Sequence, residues 1–259
     1  MLLVIDVGNT EITVGLFQGD ELTARWRLTT NPDRTPDEWA SALSGFLSQA
    51  GHSPNEIQAV CLASVAPGVT ESLVDGATRA TGATPVVIDS RTPLPITLDV
   101  DEPLTVGADR IVNTLAAVEL YHSDVLVVDF GTATTFDCIT ADGRFIGGVI
   151  MPGLRTSAEQ LIRRAAKLPA TELVPPDRVI GRRTEECIRA GVLFGTADAV
   201  DGLVRRILKE WPGGARPRVV ATGGLAHSVA KLTTTIQETA PDLTLHGLRI
   251  AARHLRLAW

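Results

Sequence analysis

The sequence predicts an α/β protein with two related halves, each opening with a strand, a glycine turn and two further strands. The first observation is DVGNT at 6–10, which follows the apolar run 1–5. The second is DFGTATT at 129–135, which follows the apolar run 125–128. A buried strand that ends in an acid, a spacer and glycine is a weak signal once. Because it recurs in both halves, we expect duplicated α/β domains with a ligand in the cleft between them, at the carboxyl ends of the strands.

The first half is expected to be a meander followed by alternating helices and strands. Thr35 and Pro36, followed by two acids, mark a helix start, and apolar residues recur at helical spacing through Leu47. The expected strands lie at 2–5, 12–17, 22–28, 57–62 and 85–88, and a second helix covers 68–80. An exposed loop, rich in proline, threonine and aspartate, is expected at 91–106, ahead of a helix at 109–121.

The second half repeats this scheme, so we place the domain boundary between 1–117 and 118–259. Its meander is expected to have strands at 125–129, 136–140 and 144–150, with turns at 130–135 and 142–143. Helices are expected at 157–167, 184–194, 197–211 and 247–256, and late strands at 218–221 and 243–245.

Composition excludes several classes of function. The chain has 259 residues, of which 44% are hydrophobic, and no apolar run approaches the length of a membrane span. The net charge of −6 counts against a protein that binds nucleic acid through a broad basic face.

The chain start and the cysteines indicate the compartment. The start lacks a basic segment and reaches Asp6 too soon for a signal peptide. The three cysteines show no paired spacing, which favours a reducing compartment and argues against disulfides or a zinc site. We therefore expect a cytoplasmic protein whose partners include neither a membrane nor nucleic acid.

The chemistry of the two turns suits a phosphorylated ligand. Glycine lets the backbone approach a ligand closely, and the hydroxyl and N–H groups that follow suit an anion such as phosphate. The acid at the strand end suits a metal ion, because two bare anions repel. A dinucleotide fold is not expected, since no GxGxxG or GxxxxGK[ST] occurs and each turn leads into a strand.

Six blocks in order along the chain resemble the type III pantothenate kinases, within the acetate and sugar kinase/actin superfamily. They are DVGNT at 6–10, GADRIVN at 107–113, DFGTATTFD at 129–137, GGVIMPG at 147–153, GRRTEE at 181–186 and ATGG at 221–224. The resemblance covers nearly the whole chain and implies duplicated ribonuclease-H-like (actin-like ATPase) domains with an interdomain cleft. It also implies ATP-dependent phosphorylation of pantothenate to 4'-phosphopantothenate, the first step of coenzyme A biosynthesis. The implied enzyme is a homodimer that needs Mg²⁺ and a monovalent cation, K⁺ or NH₄⁺.

The resemblance implies that the first turn binds ATP and that Asp6 orients its Mg²⁺ through water. The nucleotide-binding set is Asp6, Val7, Gly8, Asn9, Thr10, Glu11, Ile12 and Thr13, together with Thr132 of the second turn. An acid in such a turn is more often a simple turn residue, but packing does not readily explain DVGNT at a strand end. Glu11 stands where the family often has an uncharged residue, and its carboxylate is unfavourable near phosphates unless it points away or helps to hold a metal ion.

The GADR block is implied to bind the acceptor. Taken alone, Asp109 would be interpreted as a helix cap. By resemblance it is the general base that accepts the proton of the pantothenate hydroxyl, and Arg110 binds the pantothenate carboxylate. The substrate-binding set is Gly107, Ala108, Asp109, Arg110 and Thr184.

Two further blocks complete the implied site. Asp129 is implied to hold the monovalent cation, and the turn Gly223-Gly224 is implied to lie against adenosine. Taken alone, Thr184 would be a helix cap and the glycine pair a left-handed turn.

Three functions stay open on the sequence alone. The first is a pantothenate kinase, and the second is a kinase of the same superfamily with another small hydroxylated acceptor. The third is a catalytically silent regulator that keeps the fold, which Asp6, Gly8, Asp109 and Asp129 together argue against.

Overall fold

The computed structural model describes residues 1–259, which form two compact units. The first unit contains residues 1–120, 143–145 and 243–259, and the second contains 121–142 and 146–242. The predicted division into 1–117 and 118–259 stays a prediction. These units differ from it because the C-terminal segment belongs to the first unit.

The first unit is built on a five-stranded sheet that begins with the expected meander. Its strands are β1 (Leu2–Val7), β2 (Glu11–Gln18), β3 (Glu21–Thr29), β4 (Ala59–Ser64) and β5 (Val86–Ile88), in the order β3-β2-β1-β4-β5. The meander pairs are antiparallel, whereas β1, β4 and β5 run parallel. The carboxyl ends of β1 and β4 therefore lie side by side.

Helices cover this sheet through apolar faces. They are α1 (Pro36–Gln49), α2 (Pro67–Thr81) and α3 (Ala108–Tyr121). The start of α1 is fixed by a capping box, in which Thr35 N donates to Glu38 Oε2 at 2.8 Å and Glu38 N donates to Thr35 Oγ1 at 3.4 Å. Its fully buried Trp39 lies against Gly76 of α2, where any side chain would overlap it. The missing side chain at Gly76 thus lets the two helices pack closely.

The second unit repeats the meander. Its strands are β7 (Val125–Phe130), β8 (Ala133–Ile139), β9 (Arg144–Pro152), β10 (Arg218–Thr222) and β11 (Glu238–Thr239), in the order β11-β10-β7-β8-β9. β7 pairs antiparallel with β8 and parallel with β10. Its helices are α4 (Leu154–Arg164), α5 (Thr184–Glu210) and α6 (Ala226–Ala230). The expected α/β fold with two meanders is confirmed.

Two expectations for the C-terminal half are wrong. The helices expected at 184–194 and 197–211 are one helix, α5, because Leu193, Ala197 and Val200 keep a continuous buried face across Gly195. The strand expected at 243–245 is the first turn of helix α7 (Leu243–His254). Its Leu-Thr-Leu alternation fits both structures when the run is this short.

Smaller differences concern a loop and a helix end. The loop at 91–106 contains the two-residue strand β6 (Thr97–Leu98) and a 3-10 turn at Pro103–Thr105. β6 pairs in parallel with Arg144 and Phe145 of β9, and these residues all belong to the first unit. The helix expected at 157–167 is α4, which begins three residues earlier because Gly153 provides its extended N-cap. No helix combines the length and the apolar character that a membrane crossing requires.

Candidate active site

The first glycine turn joins β1 to β2 and presents an exposed tip. Gly8 N donates to Glu11 O at 3.0 Å and closes the turn. Thr30, at the end of the neighbouring strand, donates through Oγ1 to Gly8 O at 2.7 Å and through its N–H to Thr10 O at 3.0 Å. Asn9, Thr10 and Glu11 are exposed, so their polar groups are accessible to a ligand.

Some of the predicted nucleotide-binding residues lie at the exposed tip of the first turn, and others lie in the core. The side chains of Val7 and Ile12 are fully buried in the core, so these residues have only main-chain atoms to offer. Asp6 and Thr13 face each other across β1 and β2 and are partly buried. The Glu11 carboxylate lies 3.5 Å from Arg27 Nη1 on β3, which directs its charge along the sheet surface.

Asp109 is the second residue of α3 and does not cap this helix. Ile111 N donates to Gly107 O at 3.1 Å, which places the cap at Gly107. Asp109 Oδ1 instead accepts from Arg110 N at 2.8 Å. Burial raises the pKa of the Asp109 carboxyl, and the bond from Arg110 N partly opposes this shift. A carboxyl with a raised pKa is a better proton acceptor once ionised.

Asp109 lies near the carboxyl ends of β1 and β4. Val65, just after β4, donates its N–H to Val7 O at 3.0 Å. A Cβ atom placed on Gly107 would lie 3.3 Å from Val65 Cγ1 and 2.5 Å from Asp109 Oδ1. The first turn is therefore linked to the Asp109 carboxylate within one unit. The contacts run from Val7 to Val65, and from Val65 to Gly107, beside Asp109.

Arg110, the predicted carboxylate ligand, follows directly on α3. Its guanidinium carbon lies 4.9 Å from the centre of the Phe145 ring. Ala108, also in the predicted substrate set, is buried and can contribute only main-chain atoms to a ligand. Residues 107–110 thus lie close to the first turn within the first unit.

The second glycine turn joins β7 to β8 and is surrounded by other motifs of its own unit. Gly131 N donates to Ala133 O at 3.0 Å. Thr132 O accepts from Gly153 N at 3.1 Å and from Thr156 Oγ1 at 2.7 Å. The start of α4 therefore fixes the main chain of Thr132.

Glycines pack against this turn where no side chain would fit. A Cβ atom on Gly153 would overlap Gly131 O and Thr132 O. A Cβ atom on Gly223 would overlap Asp129 Oδ1 and lie 2.8 Å from Phe130 N, and the φ of Gly223 is +89°. Asp129, Thr132 and the Gly223 turn thus lie together, although sequence reasoning assigned no role to Gly153 or Thr156. The PG pair in the block at 147–153 was the available signal.

The donor groups fit an oxygen-coordinated ion better than a transition metal. No three His, Cys, Asp or Glu side chains cluster as a metal site. Asp129 offers one partly buried carboxylate beside main-chain carbonyls. Single carboxylates with carbonyls or water are typical ligands of hard cations such as Mg²⁺. Thr184, the remaining predicted substrate residue, is exposed at the first position of α5.

Comparison with known sequences agrees with the six blocks. A family model described as Type III pantothenate kinase matches residues 2–206. The chain is 46% identical over 251 residues to a Type III pantothenate kinase of Thermomicrobium roseum, covering 97% of this chain and 96% of that protein. It is 44% identical over 250 residues to one of Moorella thermoacetica, covering 96% and 98%.

Comparison with solved structures agrees with the fold. Component A of the Acidaminococcus fermentans (R)-2-hydroxyglutaryl-CoA dehydratase matches with a TM-score of 0.56 at 16% identity, over 98% of this chain and 96% of that one. The Clostridium difficile activator of 2-hydroxyisocaproyl-CoA dehydratase, solved with bound ADPNP, matches with a TM-score of 0.56 at 13% identity, over 98% and 93%. At these identities the likeness concerns the fold alone.

Proposed function

The chain belongs to the type III pantothenate kinase family, and it phosphorylates pantothenate with ATP in coenzyme A biosynthesis; from that premise we propose which residues perform the reaction. The observation that carries the assignment is the Asp109 carboxylate, held at the head of α3 beside the ends of β1 and β4.

Asp109 is the proposed general base. The primary hydroxyl of pantothenate attacks the γ-phosphorus of ATP, and the new O–P bond forms as the bond to the β–γ bridging oxygen breaks. The hydroxyl proton passes to the Asp109 carboxylate, and ADP leaves with the bridging oxygen. Since phosphoryl transfer depends mostly on positioning and charge neutralisation, the fixed place of this carboxylate matters more than its basicity.

The two turns are proposed to bind the nucleotide. The N–H groups and short side chains of Gly8, Asn9 and Thr10 suit the phosphate oxygens, as does the turn around Thr132. Arg110 suits the pantothenate carboxylate, because a guanidinium can bind it through two parallel hydrogen bonds.

Two cations and a second copy of the chain belong to the proposal. Asp6 would hold Mg²⁺ through water, Asp129 would hold K⁺ or NH₄⁺, and the bound ions would neutralise phosphate charge.

A homodimer through α4 and α5 is supported by two observations. Leu161 of α4 is exposed, as are Val179 and Ile180 just before α5, and a groove of about 340 Å³ lies between the two helices. We place the enzyme in the cytoplasm, where ATP is made and used.

A coupled ADP-release assay tests the function. The wild-type protein is offered pantothenate, N-acetylglucosamine and acetate with saturating ATP, Mg²⁺ and K⁺. We expect turnover with pantothenate and none above background with the other two. Turnover with a rival acceptor alone would assign another kinase activity, and ATP binding without any turnover would assign a silent regulator.

A further inference from the structure

We infer that Phe145 is a positioning residue, whose ring holds the Arg110 guanidinium in place for the carboxylate of the acceptor. The inference rests on the proposed role of Arg110 and concerns specificity for an acidic acceptor. Arg110 carries its guanidinium carbon 4.9 Å from the Phe145 ring centre, a distance at which a cation is attracted to an aromatic face.

The ring of Phe145 is fixed by its surroundings. Its side chain is only 1% exposed. The Phe145 carbonyl accepts from Asp99 N at 2.9 Å, and the Gly143 carbonyl accepts from Thr97 N at 2.9 Å. The strand pair thus anchors Phe145 from the main-chain side.

An ion pair strengthens the same anchor. Arg144 Nη1 lies 3.0 Å from Asp99 Oδ2. Gly143, with a φ of +84°, lies under Pro95, where a Cβ atom would be 3.3 Å from the proline carbonyl. Residues 95–99 and 143–145 therefore form one small platform, in which residues from the middle of the chain are paired with the loop at 91–106.

The platform explains what the ring does for Arg110. A long arginine side chain samples many rotamers, and a fixed aromatic face favours those in which the guanidinium lies flat. A flat guanidinium presents its donor edge to a carboxylate in the two-bond geometry. Phe145 therefore acts through Arg110, without touching the acceptor.

The ring has a matched control in the same unit. Phe17 is also fully buried and also lies under an arginine, with the Arg249 guanidinium carbon 5.7 Å from its ring centre. Phe17 is six residues further along β2 than Glu11, so it lies about 20 Å from the first turn at the usual rise of a strand. Replacing Phe17 tests the effect of core loosening alone.

The experiment compares two acceptors, pantothenate and the analogue in which a primary alcohol replaces the carboxylate. The measured quantity is the ratio of kcat/KM for the two. For Phe145→Leu and for Phe145→Met, two ring-free side chains of similar volume but different flexibility, we expect this ratio to fall about fivefold through a higher KM for pantothenate. We expect an unchanged KM for ATP, and Phe145→Tyr should restore the ratio.

Further variants separate the possible failures. Arg110→Gln should lower the ratio more than any Phe145 variant, and Phe145→Leu added to it should cause no further loss. The inference is overturned if both ring-free variants keep the wild-type ratio while Arg110→Gln loses it, or if Phe17→Leu lowers the ratio equally. If the wild type does not phosphorylate pantothenate, or Arg110→Gln keeps the ratio, the proposed function of these residues fails and the inference fails with it.

Discussion

The turn at 6–10 and the turn at 129–135 begin alike but are held differently. In each, an acid ends a buried strand, and a glycine N–H closes the turn onto a nearby carbonyl, Glu11 O in the first and Ala133 O in the second. The first turn ends in exposed Asn9, Thr10 and Glu11, and its main chain accepts hydrogen bonds from Thr30 and from Val65 N. Gly131 and Thr132 at the tip of the second turn are also exposed. The main chain of the second turn, however, packs tightly against Gly153 and Gly223, and Thr132 O accepts from Gly153 N and Thr156 Oγ1.

The difference teaches what each turn can contribute. A turn without close glycine packing can close around a ligand, whereas a turn packed tightly against Gly153 and Gly223 has positions set by its own unit before any ligand arrives. The first turn should therefore tolerate side-chain changes that alter binding, and the second should respond to small changes with a loss of stability. Single substitutions near the turns can break or sharpen this contrast.

The largest effect is expected from Asp109→Asn, which keeps the shape and removes the proton acceptor. We expect kcat to fall by about 10²- to 10⁴-fold, because the Asp109 carboxylate is the proposed acceptor of the hydroxyl proton. ATP affinity should change little, since nucleotide binding is proposed for the two turns and not for Asp109. Steady-state kinetics and calorimetric titration with a non-hydrolysable ATP analogue measure the two quantities. Unchanged turnover would remove Asp109 as the base.

The next effect concerns the glycines at the second turn. In Gly223→Ala, the new methyl group would overlap the Asp129 carboxylate at a φ that side chains disfavour, so we expect a loss of about 3 kcal/mol in the free energy of unfolding.

Gly131→Ala is the matched control within the same turn. Its Cβ atom would lie 3.5 Å from Ala133 O, an ordinary contact, and we expect a change below about 1 kcal/mol. Denaturant titration measures both variants. Equal stability of the two variants would contradict the tight packing of Gly223 against the second turn.

A smaller effect is expected from the monovalent cation. Replacing K⁺ and NH₄⁺ by Na⁺ should lower activity about tenfold, a common size for coupling between two bound ligands. Asp129→Asn should make the rate the same in all three salts. If the wild type has equal rates in all three salts, Asp129 does not hold such a cation.

The smallest effect concerns stability and pH. Burial raises the pKa of Asp109 above its ordinary value of 3.8, so the folded state binds this proton more tightly than the unfolded state. The stability from this group is complete below pH 3.8 and is lost as the pH rises through the raised value. Asp109→Asn should therefore gain stability relative to the wild type as the pH rises. Denaturant titrations at several pH values measure this difference, and a wild type that gains on the variant with rising pH would contradict the shift.

The sequence predicted the elements whose signals are local. Both meanders, the capped start of α1 and the two acid-glycine turns follow from apolar runs, turn residues and caps, which act within a few residues. The start of α7 was wrong because Leu243 and Leu245 fit a strand as well as a helix. Tertiary packing decides between them, because α7 lies against β1, β2 and β4, and Gly247 lies directly over the Val112 carbonyl of α3.

Candidate site residues could be proposed from the sequence, but the contacts that hold them could not. The resemblance proposed Asp6, Asp109, Arg110 and Asp129, which stay predictions. Val65, Thr156 and Phe145 contribute through tertiary contacts, which no local pattern shows. Phe145 illustrates the reason. Its neighbour Arg110 is 35 positions earlier in the chain, and only the short pairing with β6 brings the two into one unit.

The most direct test of the central claim is a crystal structure with a non-hydrolysable ATP analogue, Mg²⁺, K⁺ and pantothenate. We predict an Asp109 carboxylate oxygen within about 2.6–3.2 Å of the attacking hydroxyl, with phosphate oxygens in contact with both glycine turns. Phosphates bound by one turn alone, or an acceptor hydroxyl facing away from Asp109, would contradict the account.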